Sequence, residues 1–506
     1  MAKTRKPSNS SLTRRRILAG AFGAGAIAAL ARIGGGTSFA EETGTGTTEA
    51  TTTATAAGGT LPIPDRLDPT VEDGVSVFTL QAQTGTNTSL VSGETINTAG
   101  YNGTLLGPTM LVSDGEPVRF DVTNSLGEAT TVHWHGLHIA PSADGGPQNL
   151  IKDGDTWSAA TTINQGEACT LWYHPHGLGT TTEQVVLGLA GLLIVDDGSD
   201  ANAALPTDYG ANDVPLIMQS TAVTSAGAFA TTNATFTASA STVKFLVNGM
   251  SATDETPTLE VAYGRVRLRL LNASITDSIT LALTDSGSLT QVASDAGLLA
   301  EPISISSLRL SPGERAEIVL DLTAADDAVT LRATVRNTTN GTRYTVSMLT
   351  VSSTATEAAD NLPGTLNTIS DIDATDATTR TFTLSNSGAT MLINGIAGTT
   401  MEIMDANAVM TTVGAIEQWT ITNSSTNIYH NFHLHDVPFQ VVSIGGSAPT
   451  GANTGWRDTI EVAPSTTVVI KMQFTDYSDN EYMYMLHCHN VIHEDEGMML
   501  GLMVMS

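Results

Sequence analysis

Residues 487–499, with the sequence HCHNVIHEDEGMM, are dense in side chains that bind soft and borderline metals. His487, Cys488 and His489 are consecutive, and His493 and Met498 follow shortly after them. Successive side chains of a β-strand point to opposite faces, so an extended backbone directs the two histidines to one side and Cys488 to the other. One cysteine flanked by imidazoles suits two metal centres back to back. The alternative is that these are ordinary core and turn residues.

The other histidines are clustered in the same way. Ten of the eleven fall into four groups, and His138 is the one left over. Besides the stretch above, the groups are His133-Trp134-His135, His174-Pro175-His176 and His430-Asn431-Phe432-His433-Leu434-His435. Each His-x-His pair can present two imidazoles from one face of a strand.

Spacing sorts these ligands into two sets. His430 lies an odd number of positions before His433, so on a continuous strand it points away from the His433 and His435 pair. It can then bind the same metal as the cysteine. One set has two imidazoles, a thiolate and a thioether, the pattern of blue-copper sites: His430, Cys488, His493 and Met498.

The second set contains the other eight clustered histidines. They are too many for one metal and suit a cluster of about three. Zinc is the rival metal, but a structural zinc site closes with four ligands and does not need this number of histidines. The two sets together favour copper.

A repeat of domain size organises the rest of the chain. Its Asn-Gly pairs recur at intervals of 146 residues: Asn102-Gly103, Asn248-Gly249 and Asn394-Gly395. Each is followed by an alternating apolar run that ends in asparagine, at Asn124, Asn272 and Asn423. Alternation predicts half-buried strands, and Asn-Gly predicts turns. The sequence therefore predicts an all-β chain of three consecutive Greek-key β-sandwich domains.

Composition shifts place the predicted boundaries near residues 205 and 360. The predicted segments are an export signal (1–40) and a Thr/Gly-rich linker (41–60). Three domains follow, at residues 61–205, 206–360 and 361–506.

The first residues have the form of a twin-arginine export signal. Thr13-Arg14-Arg15-Arg16 precedes a Gly/Ala-rich apolar run, and Ser38-Phe39-Ala40 offers a cleavage site. The alternative, a membrane anchor, fits poorly because the run is short and rich in glycine. We predict cleavage near Ala40 and a periplasmic or extracellular protein, with no membrane insertion after cleavage.

Cysteine content and charge agree with this route. The chain has only Cys169, predicted to be a buried small side chain, and Cys488, which is committed to metal. An exported protein without a disulfide is compatible with folding and cofactor loading in the cytoplasm before twin-arginine export. A net charge of −29 argues against nucleic acid and anionic membrane partners.

The motifs together resemble those of the three-domain multicopper oxidases, the family of laccases, bilirubin oxidases and bacterial cuprous oxidases. The resemblance covers essentially the whole predicted mature chain and implies cupredoxin-like domains, with four coppers. The set with Cys488 would hold the type 1 copper. His133 and His433 would hold the type 2 copper, and the type 3 pair would take His135, His174, His176, His435, His487 and His489. Asn431 departs from the family, which usually has proline there.

The resemblance also implies a reaction. A small reductant would give single electrons to the type 1 copper, the segment His487-Cys488-His489 would carry them to a cluster between the first and third domains, and O2 would become water. The family's proton-delivering acids match Asp144 and Glu494. Asp144 could equally be a turn residue, and Glu494 could be a surface charge like its acidic neighbours.

Other residues near the motifs receive structural predictions. Trp134 and Trp172 are expected to pack the walls of the cluster, and His138 is expected to be a surface or turn histidine, with a substrate-contacting role as the alternative.

The reductant is the least constrained part. Bacterial cuprous oxidases of the family carry a methionine-rich insert early in the third domain, and residues 351–390 contain no methionine. The group Met391, Met401, Met404 and Met410 suits core packing better. We therefore expect a laccase-like oxidase of phenols and aromatic amines. The alternatives are a cuprous or other metal-ion oxidase, and a non-catalytic copper-binding or structural relative.

Overall fold

A computed structural model of the chain describes residues 59–88, 90, 95–224, 227–231, 242–326 and 328–506. The predicted signal and nearly all of the predicted linker lie outside these residues. Among the residues that the structure describes, no helix combines the length and apolar character needed to cross a bilayer. The described chain is dominated by short strands, as the alternating sequence pattern predicts.

The first domain consists of two sheets packed face to face. Its strands are β1 (Arg66–Leu67), β2 (Thr70–Glu72), β3 (Val75–Asn87), β4 (Ile96–Tyr101), β5 (Thr109–Ser113), β6 (Pro117–Ser125), β7 (His133–His135), β8 (Thr156–Thr162), β9 (Cys169–His174) and β10 (Gly191–Asp196). The strand orders are β1-β5-β10-β9-β7 and β2-β3-β6-β8, with β4 paired to β3. A 3-10 turn (Pro141–Ala143) and helices α1 (Thr181–Val186) and α2 (Asp200–Ala203) complete this part.

The second domain also consists of two sheets, one with seven strands and one with five. Its strands are β11 (Asp213–Val223), β12 (Thr242–Val247), β13 (Met250–Ser251), β14 (Thr258–Val261), β15 (Arg265–Asn272), β16 (Asp277–Leu283), β17 (Leu289–Ser294), β18 (Gly297–Ile305), β19 (Leu308–Leu310), β20 (Arg315–Asp321), β21 (Val329–Asn337) and β22 (Arg343–Ser353). The orders are β13-β12-β11-β15-β20-β17-β18 and β14-β22-β21-β16-β19.

The third domain again has two five-stranded sheets. Its strands are β23 (Thr378–Ser387), β24 (Thr390–Ile393), β25 (Val409–Thr412), β26 (Ile416–Asn423), β27 (His430–Leu434), β28 (Gln440–Ile444), β29 (Thr459–Val462), β30 (Thr467–Gln473), β31 (Tyr484–His487) and β32 (Met499–Met505). The orders are β24-β23-β26-β30-β28 and β25-β32-β31-β27-β29. Helices α3 (Met401–Ala406) and α4 (Val491–Asp495) and a 3-10 turn (Gly451–Thr454) flank the sheets.

Each pair of sheets encloses its own apolar core. The cores are centred on Phe120 and Trp134 in the first domain, Leu268 and Ile318 in the second, and Trp419 and Phe432 in the third. The prediction of an all-β chain built from three β-sandwiches is confirmed. The exact boundaries near residues 205 and 360 stay predictions.

The repeated Asn-Gly pairs form equivalent turns in the three domains. Their asparagines have φ of +57°, +49° and +53°, a left-handed conformation that asparagine tolerates better than most residues. In each turn the asparagine Oδ1 accepts a hydrogen bond from a strand N–H, donated by Gln81, Ile217 and Thr383. The three turns therefore share the same hydrogen bond between the asparagine side chain and a strand.

The asparagines that end the alternating runs also share one role. Asn272 is fully buried, and its Nδ2 donates to the carbonyl oxygens of Asp277 (2.8 Å) and Leu310 (3.0 Å). Asn124 and Asn423 bind two carbonyl oxygens in the same way. Each side chain therefore joins the end of its strand to two neighbouring segments of main chain.

This role makes Asn272→Ala a test of the fold. The substitution leaves two buried carbonyls without their donor, so we expect the free energy of unfolding to fall by about 1–3 kcal/mol. Thermal unfolding followed by circular dichroism would show a lower midpoint. The control Asn97→Ala, at an exposed position of β4, should leave the midpoint unchanged. A midpoint for Asn272→Ala equal to that of the control would contradict the role.

Candidate metal centre

The cysteine set comes together in the third domain. His430 opens β27, Cys488 directly follows β31, and His493 lies in helix α4. The Cys488 Sγ is 3.7 Å from His430 Nδ1 and 3.8 Å from His493 Nδ1, and these two nitrogens are 3.2 Å apart. All three side chains are buried. This is a trigonal arrangement of one sulfur and two nitrogens, of the kind that blue-copper sites use.

Met498 is tied to the same residues through the main chain. Its N–H donates to the carbonyl oxygen of His493 (2.9 Å), and its own carbonyl accepts from the N–H of Cys488 (3.0 Å). The side chain is buried in the core that also contains Cys488. The predicted fourth ligand is therefore held next to the trigonal set.

The eight other clustered histidines meet between the first and third domains. In the first domain, β7 contains His133 and His135, β9 ends at His174, and His176 follows it. In the third domain, β27 contains His433 and is followed by His435, and β31 ends at His487 and is followed by His489. Their ring nitrogens form three groups that can hold a metal: His135 with His174 and His489, His176 with His435 and His487, and His133 with His135 and His433. All eight are buried.

Alternation along the strands produces the predicted separation. His487 and His489 reach the cluster, with ring centroids 5.4 Å apart, while Cys488 between them reaches the cysteine set. His430 likewise points away from His433 and His435. In the antiparallel pair of β27 and β31, His433 lies opposite His487, which brings the two motifs into one site.

The donor set fits metal ions because many ring nitrogens have no protein partner. Within the described residues these are His133 Nε2, His135 Nδ1, His174 Nε2, His176 Nδ1, His433 Nε2 and both nitrogens of His489. A buried polar atom without a partner is costly in a protein interior. In the group of His176, His435 and His487, the Nε2 atom of His487 lies 3.1 Å from that of His176 and 3.3 Å from that of His435. Buried nitrogens that converge in this way, with few protein partners, suit a metal ion.

Burial also sets the protonation state that a metal needs. It lowers the pKa of His176 and His487 to about 3 and of His430 to about 4. Burial likewise lowers the pKa values of His135, His174, His433, His435, His489 and His493 well below 6.5. These rings are neutral, the form that ligates metals. Burial raises the pKa of the Cys488 thiol to about 12, so a thiolate there requires a bound cation.

Asp144 contacts two cluster histidines. Its main-chain oxygen accepts from His133 Nδ1 (2.9 Å), and its Oδ2 accepts from His435 Nδ1 (2.8 Å). It is fully buried and follows the 3-10 turn. Gly145 at φ +83° lies so close to the Val132 carbonyl that no side chain fits there. Asp144 is thus a turn residue that also holds the cluster, and its part in proton delivery stays a prediction.

Asp458 plays the matching part from the third domain, and the sequence analysis missed it. Its main-chain oxygen accepts from His433 Nδ1 (2.9 Å), and its Oδ1 lies 3.1 Å from His135 Nε2. Asp458 is one of 51 acidic residues and lies 25 positions after His433. It belongs to no motif and has no regular spacing from the histidines, so the sequence could not single it out.

Glu494 is buried and not a surface charge. Its carboxylate oxygens lie 3.1 Å from His487 Nδ1 and 3.5 Å from His176 Nδ1. Burial raises its pKa. The neighbouring Asp495 accepts a hydrogen bond from the N–H of Thr182, and burial raises its pKa to about 7.

One of the two tryptophan predictions is wrong. Trp172 contacts the cluster: its ring stacks on His174 at 4.1 Å and lies 5.2 Å from His135. Trp134 stacks instead on Phe120 at 4.2 Å inside the core of the first domain. Trp134 sits between two ligands on one strand, so alternation turns its side chain away from them.

Asn431, where the family usually has proline, connects three parts of the site. Its Nδ2 donates to the Pro312 carbonyl of the second domain (2.7 Å), and its Oδ1 accepts from the N–H of Asn490 (3.0 Å). The same oxygen lies 3.4 Å from Cys488 Sγ. The amide therefore fixes the loop that carries the cysteine.

The expectation that His138 is a satisfied surface or turn histidine is wrong about the surface: both ring nitrogens have partners, but the side chain is buried. It is buried between the first and third domains, where Nδ1 lies 2.7 Å from Asp436 Oδ1 and Nε2 lies 2.7 Å from Asp476 Oδ1. Burial lowers its pKa, but the two carboxylates more than offset this and raise the pKa to about 9. His138 is therefore a charged clamp between domains.

Comparisons with known proteins agree with the site. Sequence profiles described as multicopper oxidase match residues 83–200, 202–354 and 363–506. The chain is 34% identical to a multicopper oxidase of Staphylococcus aureus, over 87% of this chain and 91% of that protein. It is 30% identical to the cell division protein FtsP of Pectobacterium atrosepticum, over 80% and 85%. A solved bacterial laccase-like multicopper oxidase from Ochrobactrum, with oxidase activity towards lignin model compounds, superposes with a TM-score of 0.76 at 30% identity, over 88% of this chain and all of that one.

The His138 clamp predicts a pH-dependent stability. Its folded pKa of about 9 exceeds the ordinary 6.5, so its stabilisation is fully present below about pH 6.5 and is lost as the pH rises through about 9. We expect His138→Gln to lower the unfolding midpoint at pH 6.5 and to have little effect above pH 9. Thermal unfolding of both proteins across this range measures the difference. A difference that does not change with pH would contradict the charged clamp.

Proposed function

This chain belongs to the multicopper oxidase family, and we propose that it oxidises phenols and aromatic amines while reducing O2 to water. The observation that carries the proposal is the complete ligand set, buried and sorted into two sites that a single covalent segment joins. Three residues, His487 to His489, link the cysteine set to the cluster through the main chain.

We assign the cysteine set, with Met498, to a type 1 copper. The two groups of three that do not share a residue, His135/His174/His489 and His176/His435/His487, are assigned to the type 3 pair, and His133 with His433 to type 2. Four coppers bound there supply one-electron oxidation of the substrate and four-electron reduction of O2.

The reduction of O2 consumes four protons, and two buried carboxyl groups are placed to deliver them. Glu494 lies against His487 and His176, and burial raises its pKa, which favours the protonated form that a proton donor needs. Asp144 lies on another side of the cluster, against His435. We assign both as the groups that would deliver protons to the cluster.

A cleft lined in part by Tyr429, the residue before His430, offers a place for the reductant. It has a volume of about 370 Å³ and is lined by residues of the second and third domains, among them Arg336, Asn340 and Tyr429. The Arg336 guanidinium lies 3.4 Å from the centre of the Tyr429 ring. Because Tyr429 directly precedes His430, a small aromatic molecule in this cleft would lie close to the proposed type 1 copper.

The methionines favour an organic reductant over Cu(I). Met391 and Met404 are buried in apolar cores, and Met404 packs against Met483, Met485 and Met499. Met410 is exposed on β25. Buried thioethers that pack against one another fill a core and do not form a ladder open to Cu(I).

The sequence of the first forty residues leads us to propose export by the twin-arginine machinery to the periplasm or beyond. This proposal rests on sequence alone, on the Arg14-Arg15-Arg16 motif, the apolar run after it and the cleavage site at Ser38-Phe39-Ala40, because these residues lie outside the described part of the chain.

A substrate panel tests the proposed reaction. We expect the copper-loaded protein to contain four coppers, to show the blue thiolate band and to consume O2 faster with a phenol than with Cu(I). Cys488→Ser should lose the blue band and the O2 uptake together. Faster uptake with Cu(I) would favour a cuprous oxidase. Four bound coppers without O2 uptake from any reductant would favour a non-catalytic copper-binding relative.

The proton role of Glu494 has its own test. Glu494→Gln keeps the shape of the side chain and removes its proton, so we expect O2 reduction to slow by roughly 100-fold while the blue band stays intact. Stopped-flow reoxidation of the reduced protein measures the step. Glu481→Gln, at an exposed carboxylate shortly before β31, is the control. Reoxidation at the rate of that control would remove Glu494 from the proton route.

A further inference from the structure

Two aspartates hold the cluster in a crossed arrangement. Each binds the first histidine of its own domain's His-x-His pair through its main-chain oxygen, and reaches the second histidine of the other domain's pair with its carboxylate. For Asp144 these are His133 and His435, and for Asp458 they are His433 and His135. The ring pairs His133/His435 and His135/His433 both stack at 3.8 Å. The two halves of the site are nearly equivalent.

The equivalence ends at the carboxylates. Arg315, from β20 of the second domain, binds both oxygens of Asp458: Nη1 to Oδ1 at 2.7 Å and Nη2 to Oδ2 at 2.6 Å. Among the described residues, no arginine or lysine forms an ion pair with Asp144. One aspartate is fixed by a cation, and the other is not.

The guanidinium is itself held on every side. Its Nε donates to the main-chain oxygen of Thr170 in β9 (3.0 Å), and Nη2 donates to that of Asp295 (2.8 Å). The side chain is fully buried. Gly136, which directly follows His135 at φ +84°, lies so close that a Cβ there would come within 2.8 Å of Arg315 Nη2 and 2.7 Å of Asp458 Oδ2. All three domains meet at this ion pair.

The ion pair also settles which nitrogen of His135 faces the cluster. An ionised carboxylate can only accept a hydrogen bond, so His135 Nε2 must carry the hydrogen that points to Asp458 Oδ1. Nδ1, which has no protein partner, then carries the lone pair. Hydrogen bonds of this kind orient metal-ligating histidines and select their tautomer.

We propose that Arg315 is a positioning residue of the copper cluster, acting through Asp458 to fix the orientation and tautomer of His135. The inference rests on the proposed function, since it assigns His135 to the cluster. It gives the second domain, which contributes no ligand, a direct part in assembling the oxygen-reducing site.

Copper binding by three full-length variants tests the role. Arg315→Met removes the fixation, so we expect the cluster coppers to bind about 10-fold more weakly and the near-ultraviolet absorption of the type 3 pair to be lost. The blue band of the cysteine set should persist, because Arg315 contacts none of its ligands. Affinity is measured by competition with a chelator.

The matched control is Arg267→Met. Arg267 is another fully buried arginine, on the adjacent strand β15, but it pairs with Glu317 and Asn202 and not with a residue that touches the cluster. It should reduce stability and leave both absorption bands as in the wild type. An affinity for the cluster coppers that is the same in Arg315→Met and Arg267→Met would overturn the proposal.

Arg315→Lys decides the question if the methionine variant does not fold. Lysine keeps the charge but cannot bind both carboxylate oxygens in the same fork. We therefore expect Arg315→Lys to bind the cluster coppers more weakly than the wild type. If Arg315→Met also folds, its affinity should be lower still. Wild-type affinity in Arg315→Lys would overturn the role of the fork. A wild-type protein that shows neither absorption band would refute the proposed function instead, before any variant is compared.

Discussion

The metal centre depends on one arrangement: at His133, His135, His174 and His433 the protein holds one ring nitrogen while the other has no protein partner. His133 and His433 are held by the main-chain oxygens of Asp144 and Asp458. Leaving a buried nitrogen unpaired costs about 1–3 kcal/mol, and the centre has several such atoms. Only a rigid surrounding keeps them from finding other partners. The three packed β-sandwiches provide it, with the cluster at the seam between the first and the third.

Strand geometry made the separation of the two sites predictable. Because side chains alternate along a strand, Cys488 points to the other face from His487 and His489. The odd spacing between His430 and His433 likewise makes these two point to different faces. These relations need only local sequence, and the structure shows them. The same alternation also predicts that Trp134 points away from His133 and His135. The expectation that Trp134 lines the cluster overlooked it, so that error was avoidable from sequence.

Other contacts could not be found in this way. His138 meets Asp436 and Asp476 across 298 and 338 residues of chain, and Arg315 meets Asp458 across 143. No periodicity or motif relates such positions, because they become neighbours only when whole domains dock. The fold class and the ligand residues follow from repeated local patterns. The groups that orient the ligands come from the packing of domains, which one sequence does not reveal.

The second domain has no ligand, yet it contacts both sites. At the cluster, Gly313 lies against the ring of His489 so closely that a side chain would collide with it. At the cysteine set, Asn490 Nδ2 donates to Thr338 Oγ1 (2.6 Å), and Pro312 accepts from Asn431. The loop from Cys488 to His493 is thus fixed from outside its own domain. The electron transfer proposed for these sites would benefit from ligands that do not move, because a preorganised environment need not rearrange when charge changes. The middle sandwich therefore supports both candidate metal sites, although it contributes none of the candidate ligands.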